Sequence, residues 1–261
     1  MIDKSSSKIR SDVVKRSFFD EDNSFFEDLS ITKREYKDSL ELYKYLIQLS
    51  DGYYYAKRVT ELGLCNEIVG RYLCNKLDLE TTPLEIILDK GKLKMASPNY
   101  KNKKYNYHLA KDDYSFCFRR MYEVDRLKIL PSSFREEQLK LISIDLMMEQ
   151  WDRSGSNMEE KIVNGYPHLS PVIDFVSSFN YVPFFDYYNP YVSLPKNVES
   201  IDKFISEFPY SYKYFIDMFN VCLDEIIDYI ESNYPIKVSD RVKRKYSKVI
   251  DKNQKILRHI K

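Results

Sequence analysis

The sequence predicts an α+β fold in two parts, a small mixed α/β unit followed by a larger, mainly helical region. Three observations predict it. Short β-rich runs and an apolar helical period alternate between residues 50 and 97. From about Tyr114 the apolar spacing becomes mainly helical. Hydrophobic residues make up 43% of 261 and aromatics 15%, with only 6 glycines and 10 prolines, so the chain can build a core. That composition excludes a collagen-like, linker-dominated or wholly disordered chain.

The elements follow in order. Residues 1–30 are polar, with ring pairs Phe18-Phe19 and Phe25-Phe26 that predict partial docking. Residues 31–50 carry Tyr36, Leu40, Tyr43, Leu46 and Ile47 at helical spacing and predict an amphipathic helix. Asp51-Gly52 is a turn signal, and Tyr53–Val59 reads as a strand. Asn66–Leu77 reads as a helix with Ile68, Val69, Tyr72, Leu73 and Leu77 on one side. Thr82-Pro83 breaks that pattern, and Leu84–Leu88 and Leu93–Ala96 read as strands around Asp89-Lys90-Gly91. Ser97–Tyr107 interleaves lysine with tyrosine and is read as a solvated linker rather than a nucleic-acid surface. Gln138–Glu149 is apolar nearly all round, which predicts a buried helix. Tyr181–Val192 is rich in aromatics, and its rings read as core or packing loop. Ile201–Phe208 and Tyr212–Tyr234 read as two further helices, ended by Pro235.

The final segment is set apart by charge. The chain holds 41 Lys/Arg and 40 Asp/Glu, a formal +1. From Ile236 onward, 10 basic and 2 acidic residues give +8, so the preceding 235 residues carry −7. Ser239 and Asp240 suit a helix N-terminus, and Val242, Tyr246, Val249, Ile250, Ile256, Leu257 and Ile260 recur near helical spacing. This basic amphipathic helix is expected to dock on its own domain, with an anionic surface or nucleic acid as the other possible partners. The domain expectation is therefore 1–50 as an N-terminal extension and helix, 51–100 as a small lobe, 101–235 as a helical lobe, and 236–261 as a C-terminal helix. No run is apolar enough for a membrane span or a signal peptide. Cys65, Cys74, Cys117 and Cys222, with His108, His168 and His259, form no metal-ligand spacing. A cytoplasmic protein with reduced thiols and no structural metal is expected.

One stretch is hard to explain as packing. Trp151-Asp152-Arg153-Ser154-Gly155-Ser156-Asn157 follows the buried helix, and Asp174 ends the β-like run Leu169–Ile173. Phosphoryl transfer uses a carboxylate to orient the attacking hydroxyl and accept its proton, and an amide oxygen with a second carboxylate to hold Mg²⁺ against the phosphates. Upstream, Lys57 lies in a strand and Glu67 near the start of a helix, as in the phosphate-gripping Lys–Glu pair of kinases. Each residue alone has an ordinary alternative: turn former, surface lysine or first-turn acid. The order Lys57, Glu67, Asp152, Asn157, Asp174 is kinase order.

On these residues the chain resembles the HipA-like kinases of the protein-kinase-like superfamily. Asp152–Asn157 matches the family's D-R-x-x-x-N loop, and Leu169–Asp174 its apolar run ending in the metal aspartate. Tyr54-Tyr55-Ala56-Lys57 and Asn66-Glu67 resemble its lysine strand and glutamate helix. The resemblance covers roughly residues 50–180. It implies a two-lobed kinase-like fold, with Asp152 as catalytic base and Asn157 and Asp174 as Mg²⁺ ligands. Lys57 would contact the ATP phosphates, with Glu67 as its partner. It implies transfer of the ATP γ-phosphate to a Ser/Thr hydroxyl of a protein substrate, and a toxin role with an antitoxin partner in several members. Two departures stand out: Ser154 where the family often has His, and no glycine-rich phosphate loop before Lys57, where Gly52 is the only upstream glycine. They motivate the alternative of a catalytically impaired pseudokinase that acts as a nucleotide- or protein-binding module.

Overall fold

The computed structural model describes residues 9, 15–17, 45–89, 92–98, 124–150, 160–169, 171–172, 174–176, 178–179 and 198–259. Its architecture is mixed α/β, mainly helical, with two small sheets. The described residues group into two compact units, one from 1–60, 82–105 and 233–235, the other from 61–81, 106–232 and 236–261.

The first unit is a five-stranded antiparallel sheet in the order β1-β2-β3-β5-β4. Its strands are β1 (Lys15–Ser17), β2 (Tyr45–Leu49), β3 (Gly52–Arg58), β4 (Glu85–Asp89) and β5 (Lys92–Pro98). The strands expected at 53–59, 84–88 and 93–96 form. Within the helix expected over 31–50, residues 45–49 are strand instead, and 31–44 lie outside the described residues. A short apolar run such as Tyr-Leu-Ile-Gln-Leu fits either period, and here pairing decides. Leu49 faces Gly52 across the two-residue turn Ser50-Asp51, and each residue of β2 gains a partner on β3. Leu49, Tyr54, Ala56, Ile87 and Ala96 form one buried cluster of this unit. Lys57 follows Ala56, so the pleat sends it to the opposite face, where it is half-buried.

The second unit is helical around one hairpin. It contains α1 (Glu61–Lys76), α2 (Val124–Lys128), α3 (Ser132–Met148), β6 (Glu160–Val163), β7 (Tyr166–Leu169) and α4 (Val198–Glu207). A 3-10 turn at Pro209–Ser211 leads to α5 (Tyr212–Phe219), α6 (Leu223–Asn233) and α7 (Asp240–Leu257). α3 is buried nearly all round, through Leu139, Leu141, Ile142, Ile144, Met147 and Met148. The single helix expected over 212–234 is two helices. α5 ends at Asn220, and Asp224 and Glu225 place negative charge in the first turn of α6, where the helix dipole favours it. The β6–β7 hairpin turns on Asn164 and Gly165, whose φ values of 53° and 83° are both positive, as a type I′ turn requires.

α7 docks on its own unit, as its amphipathic pattern predicts. Val242, Tyr246, Val249, Ile250 and Asn253 are buried. Tyr246 donates its hydroxyl to Asn66 Oδ1 (3.0 Å), and Asn253 Nδ2 donates to the Met147 carbonyl (2.7 Å). Ser239 occupies the N-cap position, but its side-chain oxygen accepts no N–H of the helix, and its hydroxyl donates to Glu61 Oε2 (3.0 Å).

Candidate active site

The second unit contains a segment whose described residues lie outside the helices and strands. It runs from Val172, bridged to Thr81, through Asp174 to Phe179. Asp174 has φ 66° and Phe179 φ 51°, left-handed backbone that non-glycine residues adopt rarely. Such a backbone persists only where its surroundings hold it.

The holding groups come from α1 and from the end of α3. Glu67, 1% exposed, accepts the backbone N–H of Asp174 at Oε1 (3.3 Å) and that of Phe175 at Oε2 (2.7 Å). Its Oε1 also accepts a charge-assisted bond from Arg71 Nη2 at 2.9 Å, one helical turn on. Three hydrogen bonds from described residues thus fall on a carboxylate that can accept about four. The neighbouring Asn66 donates Nδ2 to the carbonyls of Val176 (2.9 Å) and Ser178 (2.7 Å) while its Oδ1 accepts from Tyr246. Gln150, fully buried just past α3, donates Nε2 to the Asp174 carbonyl (2.7 Å) and accepts from Ser178 Oγ (3.3 Å). Phe179 donates its N–H to the Met148 carbonyl (2.7 Å), and its ring packs on Tyr246 with centroids 4.3 Å apart. Full burial pushes the Tyr246 hydroxyl well above its ordinary pKa, so it stays a neutral donor. Gly70 completes the seat: a Cβ there would stand 2.1 Å from the Phe175 ring, so only glycine admits that ring.

Of the residues singled out in the sequence, Glu67 and Asp174 therefore meet, carboxylate to backbone. Lys57 lies on β3 in the first unit. Asp152 and Asn157 lie outside the described residues, as do Trp151 and the 181–192 aromatics. The roles of Arg71, Gln150 and Gly70 were not read from the sequence, although each left a signal. Arg71 stands four residues after Glu67. Gly70 sits in a helix interior, where glycine marks close approach. Gln150 is polar just past a helix whose last turns are mostly apolar.

No family model matches the chain, and no curated protein matches it. Solved structures do. The Helicobacter pylori proinflammatory kinase CtkA aligns over 81% of this chain and 90% of its own, at 14% identity and TM-score 0.49. A chain of the Shewanella oneidensis MR-1 toxin–antitoxin complex of HipA, HipB and operator DNA aligns over 78% of this chain at 10% identity and TM-score 0.58. The fold is that of HipA-like kinases. This chain spans 58% of the Shewanella chain's length, and the likeness at 10% identity is one of fold. Among the described residues no helix is long and apolar enough to cross a membrane, and no cluster of three or more His, Cys, Asp or Glu could hold a metal ion.

Proposed function

We propose that the chain is an ATP- and Mg²⁺-dependent Ser/Thr protein kinase of HipA-like type. The observation that carries the reading is Asp174, held in a left-handed backbone by buried side chains on both its N–H and its carbonyl, within a HipA-like fold. Conformational strain braced on both sides is what a residue with a positional task requires. Asp152 would accept the proton of the attacking hydroxyl. Asn157 and Asp174 would hold Mg²⁺, and oxygen donors of this kind suit a hard cation that keeps part of its water. Bound Mg²⁺ would neutralise charge on the ATP phosphates. Lys57 would contact those phosphates with Glu67 as its partner, a duty Glu67 would add to holding the loop. A protein carrying the acceptor hydroxyl is the substrate class, and a toxin role with an antitoxin partner in the cytoplasm is the setting the fold suggests.

The test is transfer of labelled γ-phosphate from ATP to the chain itself and to added protein. Asp152→Ala and Asp174→Asn are expected to lower the rate by about 10²–10⁴-fold while preserving the melting temperature, since asparagine tolerates left-handed backbone as aspartate does. Equal labelling by the parent and both variants overturns the proposal.

A second reading is favoured by one observation. The turn that leads into the Lys57 strand is the two-residue Ser50-Asp51, too tight to wrap phosphates. A pseudokinase would bind nucleotide without turnover. ATP with Mg²⁺ would then raise the melting temperature while no label is transferred.

A further inference from the structure

We infer that Gln150 is a positioning residue that braces the Asp174 segment from the end of α3 and so sets the direction of the carboxylate to which the kinase reading assigns the metal. The inference rests on the kinase reading above and deepens it. Gln150 is anchored at its main chain. Glu149 ends α3 in left-handed backbone at φ 51°, and the Gln150 N–H donates to the Asp145 carbonyl at 2.8 Å. One residue separates it from Asp152. Its side chain then reaches 24 residues ahead and brackets the loop, with the amide nitrogen on the Asp174 carbonyl and the amide oxygen on the Ser178 hydroxyl. The orientation is fixed by chemistry, because a carbonyl only accepts, so the NH₂ must face Asp174.

The bond matters because of what it restrains. Asp174 has one backbone N–H and one carbonyl; Glu67 takes the first and Gln150 the second. With both held, φ stays at 66° and the Cα–Cβ direction is set. With the carbonyl released, the residue can relax to the negative φ that L-residues prefer, which turns its carboxylate. A buried amide is costly unless both its ends are satisfied, and here both are. Outer-sphere partners of this kind tune metal affinity through the ligand they orient.

The test uses the full chain and Mn²⁺ as a spectroscopic probe in the presence of a non-hydrolysable ATP analogue. Gln150→Met keeps the side-chain volume and removes the donor. It is expected to weaken Mn²⁺ binding by about 10–100-fold while affinity for the analogue measured without metal is unchanged. Amide hydrogen exchange across 172–179 should accelerate in the same variant, with α3 and α7 still protected. A folded Gln150→Met chain that binds Mn²⁺ like the parent overturns the inference. If that variant does not fold, Ser178→Ala decides. It loosens the amide from its other end, so a several-fold weaker Mn²⁺ affinity supports the inference and parental affinity overturns it. A parent that binds neither Mn²⁺ nor the analogue overturns the kinase reading and this inference together. A parent that binds both, with variants equal to it, overturns this inference alone.

Discussion

Glu67 and Arg71 are a buried ion pair whose value lies in what each leaves behind. Their side chains are 1% and 5% exposed, so Glu67→Ala removes the carboxylate from a buried guanidinium and the acceptor of two loop N–H groups. The expected loss is about 3–5 kcal/mol, read as a lower midpoint in urea. Gly70→Ala, next on the same helix, drives a methyl into the Phe175 ring and is expected to cost about 1–3 kcal/mol by overpacking. Phe175→Leu in that background should recover part of the loss; an equal or larger loss in the double variant would count against the clash with the ring, since alanine by itself favours a helix over glycine. The cysteines of this helix show how burial governs chemistry. Burial, with Glu61 nearby, pushes the Cys65 thiol up to about 12, while Cys222 is exposed. Alkylation of the native chain at pH 8, read by mass spectrometry, should therefore label Cys222 and spare Cys65 and Cys74. At this scale the sequence shows which residues carry charge but not whom they meet. Glu67 stands out by its place ahead of Asp152, yet its bonds to the Asp174 loop join positions 107 and 108 residues apart and leave no local pattern.

Elements whose period is long and unmixed are legible from sequence, and those settled by pairing are not. α3 and α7 carry their burial in their spacing, and the strand at 53–59 carries a dense β-rich run. Tyr45–Leu49 is too short for its period to decide, and β3 recruits it as a partner. The β6–β7 hairpin was legible in principle, since Asn164-Gly165 between apolar pairs is the strongest short-range hairpin signal. α6 meets α1 through Glu225, which accepts hydrogen bonds from Tyr72 and Lys76. Partial burial would raise the Glu225 carboxyl, but the bonds from Lys76 and Tyr72 outweigh it and hold it below the ordinary range. A depressed carboxyl stabilises the fold above its ordinary pKa and loses that contribution as pH falls through the lowered value. Glu225→Gln should accordingly flatten the acid limb of a stability-against-pH curve and leave the neutral-to-basic limb shifted but parallel.

For the whole molecule, the near-zero net charge conceals a division of labour inside one helix. The inner face of α7 holds Val242, Tyr246, Val249 and Ile250 in the core and reaches Asn66, which in turn holds the Asp174 loop. Four such side chains, at about 1.5–3 kcal/mol each, contribute on the order of 6–12 kcal/mol, comparable with the whole stability of about 5–15 kcal/mol of a typical domain. Deleting residues 236–261 is thus expected to abolish cooperative unfolding of the second unit in a thermal melt, and a truncated chain that still melts cooperatively would count against α7 as a strut. It follows that truncation cannot report on what the outer face binds, because the fold goes with it. Charge reversal can. Arg241, Lys248 and Lys255 are exposed, and Lys248 and Lys255 stand two turns apart on one side of the helix. Lys248→Glu/Lys255→Glu should melt within a degree or two of the parent, since exposed substitutions shift stability by about 0.5 kcal/mol or less. It should also elute from an anionic matrix at lower salt if the +8 segment is the polyanion-facing surface of the chain. Unchanged elution would place that surface elsewhere and leave α7 with its inner face alone to account for.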